Sequence, residues 1–351
     1  MSSSAPHLDP SSTQSAANFT GLSQIRLPVW NYDLAETLIS GQAFRWKLSE
    51  ARTDSEPCPR PSNRSPVGRI RPGEPFDALG IRPSRLAGDR LALPSGPWEG
   101  VIDRHWVRLS ATEHAILAET AQPASSVSWI ENYLQSRVDL ETILATFPDD
   151  EPMRAAVKAC FGLRILRQDP WECLASFILS STKQIIQIRQ IVSLLCERFG
   201  EPVAVPPGHS PAHSFPSAQR LCACPEAELR ACKMGFRAAY LKGAADMVAS
   251  SAIDLSKLSA REIGEARESL LRLPGVGRKI ADCVLLFAYG FPKAFPIDVW
   301  VMKALRKLYF RGRQIPLRRL QRFSEEHFGP FGGYAQQYLF HYMRRRKRGS
   351  L

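Results

Sequence analysis

No run of apolar residues in this chain approaches the ~20 that a membrane helix needs. The longest, around Cys283, falls far short, and the leading MSSSAPHLDPSSTQSAANF has neither a basic start nor an apolar core. Residues 1–24 therefore read as a disordered leader rather than an export signal, and an intracellular location is expected. Cysteines are scattered, at positions 58, 160, 173, 196, 222, 224, 232 and 283. Cys222 and Cys224 are separated by one residue and have no second pair at zinc spacing, so no metal is expected. Scattered cysteines in a large chain imply reduced thiols. Acidic residues are almost missing from 301–351, where Glu325 and Glu326 face thirteen lysines and arginines, nearly the whole net charge of +12. A polyanionic partner and salt-sensitive binding follow from that imbalance. Residues 344–351 read as a disordered basic tail that adds non-specific affinity.

Periodicity is missing from residues 51–97, which are rich in proline, glycine and arginine. They read as an insertion interrupting a small sheet. Before it, 25–48 reads as strand, helix (32–38) and strand (44–48). After it, strand signals return at 98–102 and 106–109. Beyond residue 127 the pattern is helical, with candidates at 128–137, 153–160, 171–199, 226–230 and 237–250. With 351 residues, 44% of them hydrophobic, the chain can bury two or three cores. The expected class is α+β, mostly α: a sheet domain over 25–127 and a helical body over 128–343.

The richest stretch is LRLPGVGRKIADCVLLFAYGFPKAFPIDVW, residues 271–300. Gly275 and Gly277 have the spacing of a turn that needs positive φ and close backbone approach. Ser259 and Glu262 have capping-box spacing for a helix over 260–272. Ala281, Val284 and Ala288 form a buried helical stripe. The expectation is a helix-hairpin-helix over 260–290, with free N–H groups and a positive helix end facing an anion such as a DNA phosphate. By itself, Gly-x-Gly between helices is also an ordinary turn.

Lys279 falls in the first turn of the second helix. It has a bland reading as a solvated charge paired with Asp282, and a sharper one as a nucleophile, because a helix N-terminus favours the neutral amine. Asp298 follows nineteen residues later. A helix over 278–290 runs about 20 Å at ~1.5 Å per residue, and 291–297, extended, can return about 23 Å at ~3.3 Å each. The chain can thus bring Asp298 back beside Lys279. Asp298 is also placed to N-cap the next helix, which is compatible with chemistry because a cap fixes the carboxylate.

Gly275-Val276-Gly277-Arg278-Lys279-Ile280-Ala281-Asp282-Cys283 with Pro296-Ile297-Asp298-Val299 resembles the helix-hairpin-helix, Gly/Pro-Asp signature of the base-excision DNA glycosylases, and more narrowly the 8-oxoguanine DNA glycosylase family. Ser40-Gly41-Gln42-Ala43-Phe44-Arg45-Trp46, Arg167-Gln168-Asp169-Pro170-Trp171-Glu172-Cys173, Gly235-Phe236-Arg237-Ala238-Ala239-Tyr240 and Gly333-Tyr334-Ala335-Gln336-Gln337-Tyr338-Leu339-Phe340 support the narrower match, in the family's order over 25–48 and 98–341. The resemblance implies a glycosylase and AP lyase acting as a monomer on damaged duplex DNA. In it, Lys279 attacks C1′ of a flipped nucleotide and Asp298 stabilises charge on the sugar. It also implies a base pocket of Gly41, Cys283, Gln336 and Phe340. DNA contacts are implied at Gly275, Gly277, Ile280, Phe236, Arg237, Thr182 and Lys183.

The chain departs from the family pattern in several places. Thr182-Lys183-Gln184 stands where the family has asparagines, Gln187 where it has an arginine, Phe236 for a tyrosine and Trp300 for a histidine. In the family the positions of Thr182-Lys183-Gln184 and Gln187 contact the base opposite the lesion. No cysteine follows Cys283, which excludes the iron–sulfur loop of endonuclease III-like relatives, so no cofactor is expected. Two other readings fit the same scaffold: a glycosylase for alkylated or ring-opened purines, and a non-enzymatic helix-hairpin-helix DNA-binding module.

Overall fold

The structure, a computed structural model, describes residues 22–49, 96–122, 126–181 and 183–348. Strands β1 (Ser23–Pro28), β2 (Lys47–Leu48), β3 (Trp98–Ile102), β4 (His105–Ala111) and β5 (Ala115–Thr120) form an antiparallel sheet in the order β1-β5-β4-β3-β2. In β1, Ile25 and Leu27 are buried while Gln24, Arg26 and Pro28 are exposed, the period-2 pattern of a half-buried strand. Leu27 faces Ile116 and Ile25 faces Ala118 across the ladder. Strand β5 had no signal of its own; pairing with both β1 and β4 makes it a strand. The sheet packs on the helix Leu34–Ile39 and on Ser128–Leu134, through a core that includes Leu38, Trp46, Leu109, Ile130 and Leu134.

The strand expected over 44–48 is cut to Lys47–Leu48. Phe44 belongs to the core of the helical body and Trp46 to that of the sheet. Residues i and i+2 of a strand point to one face, so no strand can run through both. Leu48 pairs with Trp98, so the chain leaves and rejoins the sheet at one edge. The insertion expected between them lies almost wholly outside the described residues, as does the leader through residue 21.

The helix expected over 171–199 is two: Pro170–Leu179 and Ile185–Phe199. Ser180 and Ser181 turn their hydroxyls back onto the carbonyls of Phe177 (2.7 Å) and Ile178 (3.5 Å), offering the backbone an alternative to the helical ladder. Gln187 then accepts from the Gln184 N–H at 3.1 Å and opens the second helix. The capping box expected at Ser259 and Glu262 is absent. Ser259 lies in a 3₁₀ turn, Leu255–Ala260, capped by Asp254, and the following helix is Ile263–Leu271.

The basic tail is likewise corrected. The last helix, Gly332–Arg348, carries Arg344 through Arg348 as regular helix. It is anchored where Glu36 meets both His341 and Arg345, side chains nearly or wholly buried. Cys160 lies beside Glu36 and His341, the donor set of a small metal site. The Arg345 guanidinium on Glu36 supplies the positive charge there instead. No helix among the described residues is long and apolar enough to cross a membrane.

Candidate active site

The hairpin following Ile263–Leu271 closes with the Val276 N–H on the Leu273 carbonyl at 3.1 Å. Gly275 has φ +76°, and a Cβ there would lie 2.8 Å from Tyr240, so glycine is required twice over. Gly277 differs from expectation: its φ is −95°, and a Cβ would meet nothing. It leaves open space in front of the helix Arg278–Val284, whose first amides have no partner within the helix. Ile280, expected to contact DNA, buries its side chain in the main core.

Lys279 does not pair with Asp282. Asp282 is buried and held by Arg267 Nε at 2.7 Å and Arg278 Nε at 3.7 Å. The Lys279 Nζ donates to Ser180 Oγ at 3.1 Å and lies 5.2 Å from the centroid of the Phe177 ring. Asp298 caps the helix Val299–Tyr309, accepting from the Val301 N–H at 2.7 Å. Burial pushes its carboxyl pKa up, opposed by that backbone N–H and by the positive charges of Lys279 and Arg344.

Lys279 and Asp298 line one cavity of about 620 Å³, and Gly41, Cys283, Gln336 and Phe340 line it with them. The four base-pocket residues thus reach one place from three separated segments. Gly41 has φ +89°, and a Cβ on it would stand 2.8 Å from Ile185 Cδ1 and 3.3 Å from Phe340 Cε1. Cys283, one turn after Lys279, is buried, and desolvation pushes its thiol up to about 12. Gln336 is buried with its Oε1 lacking any hydrogen-bond partner. An acceptor left so is costly, and a donor on a bound molecule would satisfy it.

The base-opposite positions behave differently. Thr182 lies outside the described residues. Lys183 lines the cavity, and Phe236 is 55% exposed. Arg237, expected to touch DNA, is buried: its guanidinium lies 4.3 Å from the Phe236 ring centroid and donates to the carbonyls of Met234 and Ser181. It holds the turn between the two helices of 170–199. Ser180, Phe177 and Arg344 escaped the sequence reading although all three line the cavity. Arg344 alone carried a signal, standing four residues after Phe340 on one helix face.

Two family profiles match in sequence: the 8-oxoguanine DNA glycosylase N-terminal domain over residues 92–174, and the HhH-GPD superfamily of base excision DNA repair proteins over 175–330. The chain belongs to the 8-oxoguanine DNA glycosylase family. It is similar to the N-glycosylase/DNA lyase OGG1 of Arabidopsis thaliana, at 28% identity over 69% of this chain and 70% of that one. It is also similar to a probable N-glycosylase/DNA lyase of Methanothermobacter thermautotrophicus, at 29% over 62% and 74%. Among solved structures, the Clostridium acetobutylicum 8-oxoguanine glycosylase/lyase, bound to duplex DNA with cytosine opposite 8-oxoguanine, superposes with a TM-score of 0.75. That match has 25% identity and covers 93% of this chain and 98% of the other.

Proposed function

We propose that this protein is a bifunctional DNA glycosylase and AP lyase that excises 8-oxoguanine from duplex DNA, working as a monomer without a cofactor. One observation carries the reading: an amine, a carboxylate and four base-pocket residues, drawn from separated segments, converge on a single cavity of about 620 Å³. A base reaches such a cavity only by leaving the duplex, at least cost when it is damaged. The Lys279 amine then bonds to C1′ while the bond to the base breaks. Asp298 stabilises positive charge on the sugar and takes a proton from the attacking nitrogen. Ring opening leaves a Schiff base, from which β-elimination cuts the strand. Specificity comes from the Gly41 carbonyl accepting the N7–H that 8-oxoguanine has and guanine lacks, a difference of a few kcal/mol when the wrong base leaves it unpaired. The Gln336 amide reads the Watson–Crick edge.

The test is borohydride trapping on duplexes carrying 8-oxoguanine, formamidopyrimidine or methylpurines. The wild-type protein is expected to cross-link to the 8-oxoguanine duplex, and Lys279→Gln to none. Cross-linking by the variant would refute the assignment of the nucleophile. A preference for methylpurines would move the protein to the alkylated-base branch of the superfamily.

A further inference from the structure

We propose that Arg344 is a catalytic residue of base expulsion, its guanidinium lying against the departing base and stabilising the negative charge that the base carries away. The inference rests on the glycosylase reading above and assigns a role that the hairpin, Lys279 and Asp298 leave unfilled. Arg344 lines the cavity together with Lys279, from a different segment of the chain. Lys279 is held by Ser180 and Phe177. Arg344 instead donates from Nη1 to the Ser40 carbonyl at 3.2 Å and sits 5.2 Å from the centroid of the Phe340 ring. A Cβ on Gly41 would lie 3.0 Å from that same Nη1. A fixed cation thus stands beside both Gly41 and Phe340, two of the base-pocket residues.

The chemistry requires such a charge. As the Lys279 nitrogen bonds to C1′, the C1′–base bond breaks and its electron pair leaves on the purine. The nitrogen, now a secondary ammonium, gives up one proton to Asp298, which passes it on and neutralises the base, so no outside reagent enters. Until it arrives, the purine is an anion with charge spread over its ring nitrogens and carbonyl oxygens. Phe44, Phe177, Phe287 and Phe340 line the cavity with apolar surface, where a preorganised cation acts far more strongly than in water. An arginine keeps its proton throughout, so it stabilises this charge without joining the proton transfer.

A merely structural role, in which Arg344 holds the Ser40–Gly41 peptide, is separable. Gln337 Nε2 also donates to the Ser40 carbonyl, at 3.3 Å, and Arg344→Gln keeps an amide donor while removing the charge. The experiment compares wild type, Arg344→Gln and Arg344→Lys in two single-turnover reactions: release of 8-oxoguanine, and β-elimination at a preformed abasic site, which has no base to expel. The ratio of the two rates within each variant cancels any loss of folded protein. That ratio is expected to fall about 100-fold in Arg344→Gln, the scale of losing one preorganised charge-stabilising donor, and to stay within about tenfold of wild type in Arg344→Lys. An unchanged ratio in Arg344→Gln, or a ratio equally low in both variants, overturns the proposal. Wild-type protein that releases no 8-oxoguanine but releases another base sinks the proposed substrate instead.

Discussion

The Lys279 Nζ stands 3.1 Å from the Ser180 Oγ, across the break between two helices that the sequence pattern runs together. The hydroxyl accepts from Lys279 and donates to the Phe177 carbonyl at 2.7 Å, so its own position is fixed by the last turn of the helix Pro170–Leu179. The neighbouring carboxylate, Asp282, is drawn away by Arg267. The amine is therefore aimed by a neutral partner rather than quenched by an acid.

Ser180→Ala is expected to slow single-turnover release of the base by about fivefold to tenfold, the effect of one hydrogen bond of ~1 kcal/mol. Borohydride trapping persists, since the amine remains, and Tm shifts little. A variant as fast as wild type would show that Lys279 is positioned by its helix alone.

Gly41→Ala places a methyl group 2.8 Å from Ile185 Cδ1 at a residue with φ +89°. Strain of roughly 1–3 kcal/mol is expected in folding stability, together with loss of the base-reading carbonyl geometry. Release of 8-oxoguanine falls by about 100-fold or more, while cleavage at a preformed abasic site falls less. Equal losses in both reactions would place Gly41 outside base recognition.

Asp298→Asn separates stability from chemistry. Burial raises the folded-state pKa of Asp298 above its usual value of 3.8, so the folded protein holds that proton more tightly than the unfolded chain. Its ionisation therefore costs stability as pH rises through the window from the unfolded to the folded pKa. Asparagine keeps the N-cap acceptor and cannot ionise. The variant's Tm is expected to exceed that of wild type near pH 7, with the difference narrowing towards about pH 4 as both side chains become neutral. Base release falls about 100-fold. Thermal scans at several pH values check the sign; a wild-type Tm above the variant's at neutral pH would refute it.

Much of the site was legible in one dimension because its parts are local. The hairpin glycine Gly275, the lysine four residues later and the aspartate that caps the following helix each carry a short-range signature. Simple chain lengths sufficed to bring Asp298 back towards Lys279. The base pocket was legible only through resemblance, since a lone glycine, a cysteine and an aromatic at helical spacing are as readily plain structure. The errors share a cause. Ser259 has the spacing of a cap that Asp254 and the 3₁₀ turn displace. Arg237 was given to DNA, yet its guanidinium is spent on the carbonyls of the turn at Ser181.

The helical body with its small sheet, the basic C-terminal end and the Lys279/Asp298 pair can be read along the chain, because helix periodicity, caps and glycine turns are properties of neighbouring residues. Packing of distant segments is what makes β5 a strand, breaks a helix at Ser180 to face Lys279, and brings Arg344 into the cavity instead of leaving it to trail into solvent. Each of these involves a partner more than eighty residues away, Ser23 with Thr120 (beside the local pairing of β5 with β4), Ser180 with Lys279, and Ser40 with Arg344, and no local pattern encodes such a meeting.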